Sequence, residues 1–332
     1  MKSVAQDLVL HAWQKKNALF YLVLVPLSWV FGVLVVLRRR LYQCGILKSH
    51  ALAVPVIVVG NINMGGSGKT PVVMWLVEQL KKNGYKPGVI SRGYGGSVST
   101  PTSVHANSQA GDVGDEPLLI AKRCACPVFV SANRVDAGEA LLKAHPDCNV
   151  IVSDDGLQHY RLKRDMEIAV VNDDALKGAW ILPAGPMREN VNRLETVDAI
   201  VFNGKKTIDS AFEMQLIGEQ FCNLVDASLK AKAADFAGKN VKAIAGIGKP
   251  ERFFEHLRNL GLTFAGIGFE DHHAFTAQDL AKLDCDALLM TEKDAVKCQR
   301  FAQPHHWALP VSANIDTGLM SIVLEKMTKK QG

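Results

Sequence analysis

The run Asn63-Met64-Gly65-Gly66-Ser67-Gly68-Lys69-Thr70 has the residue types that hold a triphosphate. Small residues let successive backbone N–H groups point at phosphate oxygens, a lysine reaches the β and γ phosphates, and a hydroxyl ligates Mg²⁺. Gly68-Lys69-Thr70 fits the usual fingerprint, while Asn63 stands where its first glycine is expected. Asparagine tolerates left-handed backbone angles better than most residues, so the departure weakens the pattern without breaking it. Such a loop needs a second acidic ligand for its metal, normally an aspartate at the end of a buried strand. Val150-Ile151-Val152-Ser153-Asp154-Asp155 offers it, and Gly156-Leu157-Gln158-His159 adds polar groups at that strand's carboxyl end, where α/β sheets bind ligands. Two adjacent aspartates also serve as a helix cap or a solvated turn.

Other clusters carry weaker signals. Gly114-Asp115-Glu116-Pro117 reads either as a carboxylate pair on a loop or as a helix N-cap with proline in the first turn. Glu270-Asp271-His272-His273 places a carboxylate beside a histidine, an arrangement that orients the ring for acid–base work. No other histidine or cysteine stands at ligand spacing from it, which argues against zinc. Arg188-Glu189, after Leu182-Pro183-Ala184-Gly185-Pro186, is a charge pair on a loop. Ser91-Arg92-Gly93-Tyr94-Gly95-Gly96 is a glycine-rich arm with a cation.

The elements that must position these residues follow from apolar periodicity. A β-branched run at Val54 to Val59 precedes the phosphate loop, and Val72, Val73, Trp75, Leu76 and Leu80 recur at helical spacing behind it, giving strand, loop, helix. Further strand-like runs occur at Pro87 to Ile90, Val128 to Val130, Val150 to Val152, Ile168 to Val171 and Ala199 to Phe202. A second alternating set starts at Val241 to Ile244 and continues through Ala287 to Met290. The expectation is an α/β fold: a P-loop NTPase-like, mostly parallel sheet with helices on both faces, plus a second, smaller α/β domain. With 332 residues two domains are expected, at residues 46–230 and 231–332, behind an anchor at residues 1–45.

That anchor is Ala18 to Leu37, an uncharged apolar run long enough for a bilayer's roughly 30 Å core. Lys15 and Lys16 precede it and Arg38, Arg39 and Arg40 follow, which places the body of the protein on the cytoplasmic side. Its length and the arginines behind it argue against a cleaved leader. It either spans the membrane or lies in the interface. The seven cysteines are odd in number and contain no Cys-x-x-Cys pair, so they read as reduced thiols. A net charge of +5, spread along the chain without basic–aromatic clustering, argues against nucleic acid as a partner.

In order along the chain, the apolar helix, VVGNINMGGSGKTPVV, VISRGYGG, GDEP, DDGLQHYRLKRD, LPAGPMRE, EDHHAF and LLMTEKDAVK resemble the tetraacyldisaccharide 4′-kinase family, the lipid A 4′-kinases of Gram-negative bacteria. Asn63 belongs to that family's own loop variant, and Glu270 stands where the family pattern leads one to expect proline. The resemblance implies transfer of the γ-phosphate of ATP to the 4′-hydroxyl of a tetraacylated glucosamine disaccharide 1-phosphate, making lipid IVA. It implies ATP and Mg²⁺, a lipid disaccharide substrate, the inner-membrane surface, and a monomer. By position, Asn63, Gly65, Gly66, Ser67, Gly68, Lys69 and Thr70 hold the nucleotide, with Lys69 also catalytic, and Thr70, Asp155, Glu189 and Gln158 surround the metal. Asp115 is the base, His272 stands against it, and Asp271 orients His272. Asp154 and His159 support the cleft, and Arg188 and Arg92 are candidate cationic contacts. Drawing Asp115 and His272 from different domains would place the acceptor between two lobes, whose closure excludes water. Two other readings of the loop are a partitioning-type ATPase switch, whose early signature lysine is replaced here by Asn63 and Met64, and a nucleotide-binding module without turnover.

Overall fold

The computed structural model describes residues 18–176 and 180–331; Lys15 and Lys16 of the basic flank lie outside them. In chain order its elements are α1 (Ala18–Gln43), β1 (Val56–Gly60), α2 (Lys69–Lys82), β2 (Pro87–Ser91), β3 (Thr102–Ser103), α3 (Ala110–Val113), α4 (Asp115–Cys124), β4 (Val128–Val130), α5 (Arg134–Ala144), β5 (Val150–Asp154), β6 (Met166–Val171) and α6 (Asp173–Leu176). They continue with β7 (Ala199–Asn203), β8 (Phe212–Ile217), β9 (Phe221–Asn223), β10 (Lys230–Ala231), β11 (Val241–Ala245), α7 (Pro250–Asn259), β12 (Ala265–Gly268), α8 (Ala277–Ala281), β13 (Ala287–Thr291), α9 (Glu292–Cys298), β14 (His306–Leu309), β15 (Ser312–Ile315) and α10 (Gly318–Gln331). The chain is α/β with mostly parallel sheets. It divides into two compact units that interleave in sequence: the first takes residues up to Lys69, Asp155–Met214 and Ile315 onward, and the second Thr70–Asp154 and Gln215–Asn314.

In the first unit β1 pairs in parallel with β6, β6 with β7, and β7 with β8. Every residue of β1 (VIVVG) is buried, as a strand covered on both faces requires. It ends at Gly60, where an added Cβ would lie 2.7 Å from Leu157 Cγ, so only glycine admits the turn that carries Gln158 and His159.

Helix α1 belongs to this unit. Its stretch Tyr21–Gln43 has the length and composition to cross a membrane, and Leu22, Val23, Trp29, Val30, Val33 and Leu34 are each more than half exposed. The opposite stripe is not free. Ser28 donates to the Ile181 carbonyl, Gly32 faces Ile181, Arg39 donates to Thr196 Oγ1 at 2.8 Å, and Tyr42 stacks on Tyr160. Positions 28, 32, 39 and 42 share one helical face, so α1 rests along its own body from Ser28 to Tyr42.

In the second unit β5, β2 and β4 are parallel neighbours and β3 closes the edge antiparallel. A six-stranded sheet follows in the order β10-β9-β14-β13-β11-β12, with β14, β13, β11 and β12 parallel. Strand alternation sends Leu289 into a core with Phe221, Phe236 and Leu257, and Leu288 and Met290 into another with Ile244 and Phe275. Parallel strands bring their carboxyl ends to one edge. There Thr291 caps α9 by accepting from Asp294 N–H, Asp294 Oδ2 accepts from Gly246 N–H at 3.0 Å, and His272 N–H donates to the Gly246 carbonyl.

Candidate active site

In the first unit the residues before α2 form a loop braced from beneath. Ser67 is fully buried, its Oγ accepting from Asn61 Nδ2 at 3.1 Å and its carbonyl from Asn203 Nδ2 at 3.0 Å. Gly65 and Gly68 take φ of 105° and 95°, the left-handed range that glycine enters freely, and Gly65 and Gly66 are exposed. Asn63 is buried, bridges to Met187 as an isolated ladder pair, and its Oδ1 has no hydrogen-bond partner among the described residues. Met64 N–H donates to the Pro186 carbonyl at 2.7 Å, which ties the loop to the segment carrying Arg188 and Glu189.

Asp155 follows the last residue of β5 and takes φ of 47°, a conformation that aspartate adopts more readily than most residues. Arg188 Nη1 donates to both of its oxygens at 2.9 and 3.0 Å, and Lys69 Nζ stands 3.6 Å from Oδ1. Glu189 points elsewhere. One oxygen accepts from Gln158 Nε2 and the other from Tyr160 OH, each at 2.7 Å, with Arg193 Nε 3.5 Å away. Burial, followed by the Glu189 charge, pushes the Tyr160 phenol up to about 12, so it stays a donor at any working pH.

The oxygen donors suit Mg²⁺, which takes one or two carboxylates and completes its shell with water and phosphate oxygens. Asp155 and Glu189 supply carboxylates, and each Glu189 oxygen keeps a lone pair beyond its hydrogen bond. Among the described residues no cluster of histidine, cysteine and carboxylate groups could hold an ion unaided. Thr70 is 9% exposed in the first turn of α2. Asp154 is buried at the end of β5 and accepts from Ser91 Oγ at 3.1 Å, so it is neither a helix cap nor part of a solvated turn. His159 is half-buried and its carbonyl accepts from Arg164; Arg92 is exposed.

Asp115, Asp271 and His272, expected from sequence to do acid–base work, lie together in the second unit. Gly114, not Asp115, is the N-cap of α4, and Asp115 is its first residue, 5% exposed. His272 Nδ1 lies 3.0 Å from Asp115 Oδ2 and 3.2 Å from Oδ1, across 157 positions of sequence. Asp271 Oδ1 is 3.8 Å from His272 Nε2, a charge facing the ring's far nitrogen rather than a hydrogen bond. His273 turns away to Asp279 and packs between Phe269 and Phe275. Asp115 and His272, assigned by sequence to two domains, thus belong to one compact unit.

Burial alone would raise the Asp115 carboxyl, but the hydrogen bond from His272 and the charges of Lys293, His272 and Lys297 outweigh it and hold the group below its ordinary range. For His272 burial works downward, yet the Asp115 hydrogen bond and the Asp115 and Asp271 charges prevail and its pKa is raised. Both shifts run in the direction that favours a carboxylate facing an imidazolium with Nδ1–H donating. Asp115 and His272 line a cavity of about 330 Å³ together with Tyr94, Lys122, Lys297 and Arg300. That volume falls in the small-molecule range, and the Tyr94 ring lies 5.0 Å from the His272 ring.

Sequence reasoning did not single out Asn61, Tyr160, Arg193 or Asn203, which fix the phosphate loop and Glu189, nor Lys293 and Lys297. The lysines had a readable signal: four apart in TEKDAVK, they share a helical face.

The family model described as tetraacyldisaccharide-1-P 4′-kinase matches residues 20–328. A tetraacyldisaccharide 4′-kinase of Azoarcus sp. (strain BH72) is 50% identical over 312 residues, covering 92% of each chain. One from Methylobacillus flagellatus is 47% identical over 309 residues, covering 93% of this chain and 92% of the relative. A crystal structure described as the "apo" form of LpxK from Aquifex aeolicus in complex with ATP superposes with a TM-score of 0.76 at 28% identity, covering 91% of this chain and 98% of that one. With the match running almost end to end, the chain belongs to the tetraacyldisaccharide-1-P 4′-kinase family.

Proposed function

We propose that the protein transfers the γ-phosphoryl group of ATP to the 4′-hydroxyl of a tetraacylated glucosamine disaccharide 1-phosphate, producing lipid IVA at the cytoplasmic face of the inner membrane. The observation that carries this reading is the Asp115–His272 pair, opening on a cavity of small-molecule size in a chain of this family. The strand, loop and helix from Val56 to Lys82 are read as a P-loop, with Lys69 taking the β and γ phosphate oxygens. Thr70, Asp155, Glu189 and Gln158 are the residues that would hold Mg²⁺, which would neutralise charge on the phosphates. Arg188 fixes Asp155, and Tyr160 and Gln158 fix Glu189, so these carboxylates are oriented before substrate arrives.

Asp115 accepts the sugar hydroxyl's proton. A carboxylate held below its ordinary pKa is a weak base, but a loose phosphoryl-transfer transition state asks little of it until late. Its larger task is to keep the hydroxyl oriented, while His272 stabilises the carboxylate and the Asp271 charge favours the imidazolium. The exposed face of α1 lies in the lipid and its Ser28–Tyr42 stripe rests on the body, which favours an interfacial helix over an upright span. Incubation with labelled ATP, Mg²⁺ and the disaccharide lipid should label the lipid, and Asp115→Ala should lower that rate by about 10²-fold or more. Label confined to free phosphate would favour an ATPase switch; undiminished turnover in Asp115→Ala would remove Asp115 as the base.

A further inference from the structure

Two lysines that the phosphoryl-transfer reading leaves without a task stand against the base. Lys293 and Lys297 project from α9, one turn apart, with side chains 17% and 8% exposed. Their ammonium groups lie 3.9 and 4.0 Å from Asp115 Oδ2. Lys293 also bridges Glu116 at 2.9 Å and Asp271 at 3.8 Å, so one ammonium joins the start of α4 to the turn that carries His272. Lys297 is anchored from behind by Asp294 at 2.7 Å and donates to the Gly246 carbonyl, the group that also accepts from His272 N–H. Farther along, Arg123 of α4 meets both oxygens of Glu292 at 2.8 Å, which fixes how α4 and α9 lie against each other.

The charged groups facing Asp115 are therefore His272 from the turn after β12 and Lys293 and Lys297 from α9, with Glu116, Asp271 and Asp294 as the lysines' other partners. Two fixed ammoniums beside a carboxylate that is 5% exposed offset the desolvation that would otherwise protonate it. A lysine that bridges three carboxylates also sets their spacing.

We infer that Lys293 and Lys297 are positioning residues for phosphoryl transfer: they keep buried Asp115 ionised and hold the α4 terminus in register with His272, without touching the nucleotide. The inference rests on the reading of Asp115 as the base. Lys293 is the better probe, since removing Lys297 would strand the fully buried Asp294.

The test is the pH dependence of kcat/KM for the lipid acceptor at saturating ATP, measured on the full chain for wild type, Lys293→Met, Lys293→Arg, Glu116→Gln and Asp115→Ala. In Lys293→Met the acidic limb should move up by about 1 pH unit or more, the shift expected from losing an opposite charge within about 4–6 Å. The KM for ATP should stay within about twofold, well under the tenfold that 1.4 kcal/mol produces. Lys293→Arg restores the charge and should return the limb towards wild type. Glu116→Gln releases Lys293 towards Asp115 and should move the limb down. A folded Lys293→Met with an unshifted limb overturns the inference, as does an arginine variant that behaves like methionine. If the methionine variant does not fold, an upward shift in Glu116→Gln overturns it. Normal turnover in Asp115→Ala would refute the base assignment itself; loss there with no shift in Lys293→Met refutes only the lysines' role.

Discussion

Replacing Gly68 with alanine tests whether the phosphate loop depends on the backbone shape described above. Gly68 sits at φ 95°, and an added Cβ would lie 2.6 Å from Asn203 Nδ2 and 2.9 Å from Met214 Cε. The methionine tip is flexible and can withdraw cheaply. Asn203 cannot, because the same Nδ2 donates to the Ser67 carbonyl at 3.0 Å and Ser67 is fully buried. Left-handed backbone costs alanine about 1–2 kcal/mol, and an unpaired buried carbonyl about 1–3 kcal/mol. Together, roughly 2–5 kcal/mol bear on this one conformation. If the loop yields by turning its N–H groups away, the loss appears in nucleotide affinity, where about 3 kcal/mol is roughly 10²-fold. If it holds, the loss appears as a lower melting temperature. Steady-state kinetics with varied ATP, beside thermal unfolding, separates the two outcomes. Gly66→Ala is the contrast: nothing lies within 4 Å of its added Cβ and its φ is not left-handed, so its melting temperature should match wild type. A Gly68→Ala protein with both KM for ATP and melting temperature unchanged would refute the argument.

Two further outcomes follow from other parts of the molecule. His272→Asn keeps a residue that tolerates the φ of 60° found there, so the change isolates the ion pair. A raised His272 pKa gives stability that is complete below the ordinary 6.5 and lost as pH rises through the folded value; a depressed Asp115 pKa gives stability present above 3.8 and lost as pH falls through its folded value. The difference in urea midpoint between wild type and variant should therefore be widest between those values and shrink above neutrality, and a difference independent of pH would sink the pairing. At the membrane, lysine at both Val30 and Val33, each more than half exposed on α1, should shift the protein from the membrane pellet towards the soluble fraction, since a central lysine costs about 2.5–3.5 kcal/mol in lipid. Unchanged sedimentation would show that this face does not carry the attachment.

The strand, glycine-rich loop and helix from Val56 to Lys82 were legible because their signals are local: a β-branched strand, glycine spacing, then an apolar helical stripe within thirty residues. The acid–base pair was not. Asp115 could be read as a cap or as a base, and the choice depends on a contact 157 residues away. Neighbouring charges misled in the same way. Arg188 and Glu189 read as a pair, yet Arg188 bonds Asp155 while Glu189 bonds Gln158 and Tyr160, partners that only the folded chain brings to them. Asp154 and Asp155 likewise part, one bonding Ser91 and the other Arg188.

Asp155 and His272 share a backbone feature. Both take positive φ in a chain where Ala125 is the one other described non-glycine residue to do so, and each is held there by strong partners. Such conformations cost of order 1 kcal/mol or more and persist only where surrounding bonds over-determine them. Arg188 clamps both oxygens of Asp155, whereas Lys69 stands at 3.6 Å, outside hydrogen-bonding distance. The arginine, not the lysine, therefore keeps the carboxylate in place, and the Asp155 conformation does not depend on Lys69. At His272 the Gly246 carbonyl holds the backbone and Asp115 holds the ring through Nδ1, while Nε2 faces the Asp271 charge at 3.8 Å. In both places strong partners fix the side chain's orientation before any ligand arrives, which is what the proposed electrostatic catalysis would require.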